Sequence, residues 1–139
     1  MLKRTLLCVL CLSFHTSFLM AEEAPEESAE VQNDYQYFEL EPDIITNYIK
    51  PGKRIGFVRI TIKLMTKSSG NYDVIENNEP LIRDKIITIL GEQTEAMIKS
   101  VIERDGIRQR CIEEVNELLY AETGEKPLED LFFTKYLYQ

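Results

Sequence analysis

Residues 54–65 read RIGFVRITIKLM, and this stretch has the strongest β-strand pattern in the chain. Apolar and polar side chains alternate along it, with Val58, Ile60, Ile62 and Leu64 between Arg59, Thr61 and Lys63. Strict alternation predicts a strand that buries one face in the core and leaves the other in contact with water. Arg59, Thr61 and Lys63 therefore form a candidate partner interface, although ordinary solvent exposure is the simpler explanation for such a face.

The residues upstream of this strand predict a second one. Tyr37, Phe38 and Leu40 indicate a short strand that is interrupted at Pro42, because proline lacks the N–H that a sheet requires. Residues 44–49 (IITNYI) predict that the strand resumes beyond the proline. Residues 50–53 (KPGK) then have the composition of a turn into the next strand.

Helices are predicted downstream, between residues 79 and 124. Pro80 suits a first helical turn, and apolar residues then recur at helical spacing up to Gly91, namely Ile82, Ile86, Ile89 and Leu90. A second helical stretch starts at Thr94, and its predicted apolar face contains Ile98, Val101 and Ile102. An interruption is predicted at Asp105-Gly106. Beyond it a third stretch, ending at Gly124, carries Ile107, Cys111, Val115, Leu118 and Leu119.

The last nine residues, 131–139 (LFFTKYLYQ), are rich in β-forming side chains and predict a final strand. We expect this strand to be held in the interior of the sheet, because a free terminal strand would fray. The order strand, strand, helix, helix, strand predicts an α+β domain of the ββααβ type, with a small sheet covered by helices.

Residues 1–21 differ in kind from the rest of the chain. Lys3 and Arg4 precede an uncharged, mostly apolar run from Thr5 to Ala21, and acidic residues follow at once. This is the pattern of a secretory signal peptide, with cleavage after Ala21 as the first interpretation. A retained signal anchor is the alternative, and both interpretations export the remainder of the chain.

Acidic residues are concentrated after this leader. Residues 22–43 contain nine acidic side chains and no Lys or Arg, whereas residues 44–139 contain 15 acidic and 14 basic ones. Residues 22–34 are predicted to be an acidic flexible linker, since they have few apolar side chains with which to fold. An arm that docks on a basic partner is the alternative. The overall charge of −8 argues against a nucleic-acid partner.

Catalytic side chains are scarce outside the leader. Beyond residue 21, Cys111 is the only cysteine and histidine is absent. Ser-His-Asp, Cys-His and histidine-based zinc sites are excluded there, and Cys111 is predicted to be buried in a helix. Residues 72–78 are predicted to form a connecting loop. The acidic and amide side chains of residues 71–78 are explained more simply as part of a polar loop than as ligands of a calcium ion. Paired carboxylates such as Glu113-Glu114 are expected on solvated helix faces, so the sequence predicts no catalytic residue, metal or cofactor.

Five segments, taken in their order along the chain, resemble the flagellar basal-body-associated FliL family. The last of them, 131–136 (LFFTKY) running to Gln139, is the most telling. The others are 37–47 (YFELEPDIITN), the strand 54–65, 80–87 (PLIRDKII) and 115–119 (VNELL).

The resemblance implies that residues 35–139 are a periplasmic domain with a stomatin-like shape. It implies a non-enzymatic protein at the flagellar basal body, which forms a ring-like homo-oligomer around the motor stator and supports torque, motility and chemotaxis. Its partners would be stator and basal-body proteins, further copies of itself and, if the leader is retained, the inner membrane. The alternative hypothesis is a free periplasmic ligand-binding or inhibitor module.

Overall fold

The computed structural model describes residues 34–52 and 54–139. The predicted leader, 1–21, and all but the last residue of the predicted linker, 22–34, lie outside the described residues. Within the described ranges, a three-stranded antiparallel sheet and four helices confirm the α+β class. The elements are β1 (Gln36–Tyr48), β2 (Gly56–Thr66), α1 (Ser69–Asn77), α2 (Glu79–Gly91), α3 (Glu95–Lys99), α4 (Val101–Thr123) and β3 (Asp130–Tyr138). Across these described ranges, no helix combines the length and apolar character needed to span a membrane.

The strand predicted from residues 54–65 is the centre of the sheet, whose order is β1-β2-β3. Both neighbours are antiparallel to β2, and a register shift lies in each pairing, between Leu40 and Ile44 and between Thr61 and Ile62. The predicted interruption at Pro42 is thus an irregularity inside one continuous strand. The prediction that the last strand lies in the sheet interior is wrong. β2 takes a partner on each side, and β3 forms one edge of the sheet.

The core lies between one face of the sheet and the helices. The four apolar residues of β2 that alternate in the sequence are 0 % exposed. Helix α2 supplies Ile82, Ile86, Ile89 and Leu90 to the same cluster, and α4 supplies Ile107, Cys111, Val115 and Leu119. The α2 stripe agrees with the sequence prediction, and the α4 stripe agrees except at Leu118, which is only partly buried and is not part of the core cluster. Because these helices pack on one face of the sheet, no helix or strand of the described residues covers the opposite face.

Helix α1 stands where a connection was predicted, so the element order is ββααααβ and not ββααβ. Ser68 caps it, with its Oγ accepting a hydrogen bond from the backbone N–H of Asn71 at 3.1 Å. Ile75 is its only fully buried side chain, and Tyr72 packs edge-on against Phe38 with ring centroids 5.6 Å apart. One buried residue produces no periodic pattern, and the helix is stabilised by its tertiary contacts.

The break between the later helices falls at Ser100 and not at Asp105-Gly106. Ser100 has an extended backbone (φ −78°, ψ 126°), and its side chain caps α4 by accepting from the N–H of Glu103 at 3.2 Å. Gly106 lies inside a continuous α4, and Gly124 ends it in the left-handed conformation (φ 79°). The predicted apolar face of Ile98, Val101 and Ile102 is therefore wrong, since Ile98 alone is buried and the other two precede the core-facing stripe of α4.

Candidate interaction surface

The open face of the sheet brings together residues from all three strands. The strand register places these side chains on the face away from the core: Tyr37, Glu39, Ile45, Phe57, Arg59, Thr61, Lys63, Phe132, Lys135 and Leu137. Arg59, Thr61 and Lys63 lie in one row along its centre, as the alternation in the sequence predicted. We call this set the open face.

An ionic cluster centred on Asp43 occupies the middle of the open face. The Arg59 Nε donates to one carboxylate oxygen of Asp43 at 2.6 Å, and the Thr61 hydroxyl donates to the other at 2.6 Å. The Lys135 Nζ lies 4.0 Å from the same carboxylate. The Thr61 and Arg59 hydrogen bonds, aided by the positive charges of Arg59 and Lys135, lower the pKa of Asp43 below its usual value.

The third predicted residue, Lys63, also has a partner in the chain. Its Nζ lies 2.9 Å from the Glu39 carboxylate, and both side chains are more than a third exposed. An exposed pair of this kind contributes little stability. Arg59, Thr61 and Lys63 are thus each engaged within the domain. With Lys135, the centre of the open face carries three basic side chains against the acidic Asp43 and Glu39, a net charge of +1.

Apolar side chains flank this centre at both ends, and the sequence analysis did not identify them. At one end the rings of Tyr37 and Phe132 lie 6.3 Å apart. At the other end Ile45, Phe57 and Leu137, with Arg59, line a shallow cavity of about 300 Å³. Four of these apolar side chains are 44 to 62 % exposed and Phe132 is 37 % exposed. Groups of exposed apolar residues with polar neighbours are typical of protein–protein contact sites.

The other candidate groups identified from the sequence are not assembled into a site. Residues 71–77 belong to α1, and the described ranges contain no group of three or more acidic, Cys or His side chains placed to hold a metal. Glu114 accepts a hydrogen bond from Arg110 at 2.6 Å and lies 3.6 Å from Lys85. Arg110 is the main cause of the lowered pKa of Glu114. This carboxylate is therefore held ionised, which is unsuitable for proton transfer near neutral pH.

Cys111 is buried, as its place on the apolar stripe predicted. Burial raises the pKa of its thiol to about 12, so the reactive thiolate is not available at neutral pH. Cys111 is a core side chain and not a nucleophile.

The Asp43 cluster makes a pH dependence measurable at a single carboxyl group. We expect the midpoint of its titration, followed by carbon NMR of the side chain, to lie below the ordinary value of 3.8. The cluster stabilises the fold fully above pH 3.8, and this stabilisation is lost as the pH falls through the lower pKa of the folded protein. Thr61→Val should move the midpoint upward, whereas Thr134→Val, whose exposed hydroxyl donates to the carbonyl oxygen of Thr61 at 3.3 Å and not to Asp43, should not. An unshifted midpoint in Thr61→Val would contradict the assignment.

The two comparisons with known proteins agree on one family. The family described as "Flagellar basal body-associated protein FliL" matches residues 37–139. The protein named "Flagellar protein FliL" from Aquifex aeolicus (strain VF5) is 26 % identical over 102 residues, which are 73 % of this chain and 60 % of that relative. The match therefore spans less than two thirds of the relative's length. Because the family match covers both edges and the centre of the sheet together with every helix, the chain belongs to the FliL family of flagellar basal-body-associated proteins.

Proposed function

We propose that this chain is a non-enzymatic protein of the flagellar basal body that associates with the motor stator and supports torque generation, motility and chemotaxis. The match of residues 37–139 to the FliL family is the observation that carries the proposal. In this proposal residues 35–139 act as a periplasmic domain of stomatin-like shape, and further copies associate with it in a ring. The leader, 1–21, exports or anchors it, and residues 22–34 are the linker.

The open face supports a role in protein contact. A stator or basal-body protein that covers it would bury apolar side chains at both ends, among them Ile45, Phe57 and Leu137. Burial of each such side chain stabilises a complex, by roughly 25 cal/mol per Å² of apolar surface before the costs of association. At the centre, Asp43 and Glu39 each already pair with a basic side chain, so neither carboxylate would be left unpaired in the contact.

The distribution of reactive groups supports a non-enzymatic role. The thiol of Cys111 is buried, and the Glu114 carboxylate is bound to Arg110. The cavity on the open face is shallow and is lined mainly by apolar side chains. These features suit contact with another protein better than they suit chemistry on a small substrate.

Deletion of the gene in its flagellated host tests the proposal. We expect reduced swimming or swarming, with filaments of normal number and length, and restoration by the wild-type gene. A Phe57→Asp/Leu137→Asp variant should fail to restore motility although the protein accumulates, because it places charge in the apolar end of the open face. Leu81→Asp, at a similarly exposed apolar position on α2, is the matched control and should restore it.

Localisation separates this proposal from the free periplasmic module. A fluorescent fusion should form foci at flagellar bases, and the foci should be lost with the Phe57→Asp/Leu137→Asp variant. Unchanged motility in the deletion strain, together with a soluble and diffuse periplasmic protein, would exclude the motor role. The amino-terminal residue of the native protein shows whether the leader is removed.

A further inference from the structure

The outer edge of β3 has no neighbouring strand in the described part of the chain. Gln139 and Phe57 exchange two backbone hydrogen bonds, of 3.0 and 3.2 Å, so the backbone groups of Gln139 point toward β2. Successive residues of an antiparallel strand direct their backbone groups to opposite sides. Since the register of residues 135–138 with β2 is continuous, the N–H and C=O of Tyr136 and Tyr138 point away from β2. A strand laid along this edge can pair with both residues.

A groove lies beside this edge, between β3 and the start of α4. It has a volume of about 290 Å³ and is lined by Val101, Arg104, Asp105, Arg108, Phe132 and Phe133. Val101 is 76 % exposed and the adjacent Ile102 is 85 % exposed, the highest values among the large apolar side chains of the described residues. Exposed apolar side chains with polar neighbours are typical of protein–protein contact sites.

Arg104 is the residue of this groove that indicates a ligand. Its guanidinium stacks on the ring of Tyr136, 4.1 Å from the ring centroid. The Arg104 Nε and the Tyr136 hydroxyl are inaccessible to solvent, and neither has a hydrogen-bond partner among the described residues. Arg104 forms no ion pair with any described residue, whereas the nearby Arg108 is paired with Asp105 and Asp130. The stacking therefore holds an unpaired positive charge in place beside an apolar surface.

A carboxylate is the group that this arginine is best placed to bind. A planar guanidinium donates parallel hydrogen bonds to both oxygens of a carboxylate. The terminal nitrogens of Arg104 are not among the inaccessible atoms, so a carboxylate from outside the domain can reach them. Because the stacking on Tyr136 already restrains the guanidinium, less conformational freedom is lost when the hydrogen bonds form.

We propose that the β3 edge and this groove bind an extended segment of another protein, which adds a fourth strand to the sheet and places an Asp or Glu side chain on Arg104. Strand addition of this kind derives affinity from backbone hydrogen bonds and specificity from the side chains that alternate along the added strand. On the face of the segment toward α4, the acidic side chain is flanked by apolar ones two positions away on either side. These apolar side chains cover Val101 and Ile102.

The sheet edges of a second copy of this chain do not fit the site. The only acidic residue of β3 is Asp130, which is already paired with Arg108. The outer edge of β1 is obstructed, because Arg83 donates hydrogen bonds to the carbonyl oxygens of Glu41 and Pro42 at 2.9 and 2.7 Å. The β3 edge is therefore left to a different protein, and the copies of a ring would meet through other surfaces.

A synthetic heptapeptide tests the site on the full chain purified from its host. The peptide, TVTETVT, is acetylated and amidated, so the glutamate is its only charged group, and both valines lie on the same face as the glutamate. Amide hydrogen exchange measures its binding residue by residue. At about 1 mM peptide we expect the N–H groups of Tyr136 and Tyr138 to exchange about tenfold more slowly, as for a dissociation constant of roughly 0.1 mM. Exchange in α2 should be unchanged.

A reversal of charge on both partners tests the role of Arg104. We expect Arg104→Glu to abolish the protection by TVTETVT and to gain protection by TVTKTVT, in which lysine replaces the glutamate. Val101→Asp/Ile102→Asp should weaken the binding of TVTETVT by about tenfold. Leu81→Asp on α2 is the matched control and should leave it unchanged. No protection by TVTETVT, or equal protection by the two peptides in the wild-type chain, would overturn the proposal.

Methylation of the peptide backbone distinguishes strand addition from contact through side chains alone. In an extended peptide the N–H groups of alternate residues point to the same side, so only one alternate set faces β3. We expect N-methylation of that set to abolish the protection of Tyr136 and Tyr138, and N-methylation of the other set to preserve it. Protection that survives methylation of either set would contradict strand addition.

Photo-cross-linking in the flagellated host identifies the occupant. A benzoyl-phenylalanine replaces Ile102 in the full chain, and the cross-linked peptide is identified by mass spectrometry. We expect a segment of another protein with an Asp or Glu between apolar residues, and Arg104→Glu should lower its yield. A cross-link to a second copy of the chain, or to its own residues 22–34, without a cross-link to any other protein would overturn the proposal.

The site is inferred from the chemistry of β3 and α4 and goes beyond the proposed function. The two therefore fail separately. Foci at flagellar bases without protection of the β3 edge by the peptide would overturn the strand-addition site and leave the motor role intact. Protection of the edge in a protein that forms no such foci, with unchanged motility after gene deletion, would overturn the motor role and leave the site intact.

Discussion

Replacement of Ile60 by Ala is expected to lower the free energy of unfolding by about 2–5 kcal/mol. Ile60 is 0 % exposed and lies in the central strand, opposite Ile44 on β1 and Tyr136 on β3. Truncation of the side chain leaves a cavity. The flanking strands are held by their hydrogen bonds to β2 and the helices by their packing on the sheet, so neither can move in to fill it. Since domains are stable by about 5–15 kcal/mol, this loss is a large part of the total.

Ile45→Ala is the matched control for this substitution. Ile45 on β1 pairs with Arg59, the residue that precedes Ile60 in β2. Its side chain points to the open face and is 62 % exposed. Its truncation should change the free energy of unfolding by less than about 0.5 kcal/mol. Urea unfolding followed by circular dichroism measures both. Equal losses from the two variants would contradict the assignment of buried and open faces.

Gly56→Ala is expected to destabilise the domain by about 1–3 kcal/mol, because a methyl group at this position overlaps the ring of Tyr48. A Cβ atom built on Gly56 would lie 2.2 Å from the Tyr48 Cζ. The ring is buried, and its hydroxyl donates to the carbonyl oxygen of Gln139 at 3.0 Å. Tyr48 therefore has little freedom to move aside, and the strain remains in the folded state.

Two further variants isolate this effect by thermal or urea unfolding. Gly106→Ala should stabilise the protein by roughly 1 kcal/mol, since Gly106 is helical and a Cβ there meets nothing within 4 Å. In a Tyr48→Ala background the loss from Gly56→Ala should largely disappear, because the overlapping ring is gone. A Gly56→Ala loss that is undiminished without the Tyr48 ring would refute the steric explanation.

The β3 edge and the Asp43 cluster were beyond sequence analysis for one physical reason. Both depend on how strands register with partners distant in the chain. Asp43 meets Arg59 and Thr61 because the register shifts between Leu40 and Ile44. The place of β3 at the edge follows from β2 taking two partners. Neither the register shift nor the pairing order leaves a periodic mark in the sequence.

The two differences between the predicted and observed helices, the position of the break and the presence of α1, have a different cause. The break was assigned to Gly106 on intrinsic propensity, but the cost of one glycine is only about 1 kcal/mol, and the buried stripe from Ile107 onward outweighs it. Ser100 forms the break instead, since its side chain caps the next helix. Helix α1 was missed because a single buried residue, Ile75, gives no repeat.

The sequence by itself determined the α+β class, the central strand, the buried stripes of α2 and α4, and the family. The structural features follow from local periodicity, since burial of one face imposes a repeat of two on a strand and of 3.6 on a helix, whereas the family follows from the resemblance of five ordered segments. Only the tertiary structure decided which residues partner Arg59, Thr61 and Lys63, where the apolar ends of the open face lie, and which sheet edge is free. These features arise from contacts between residues far apart in the chain, and their energies depend on register and packing that no local pattern encodes.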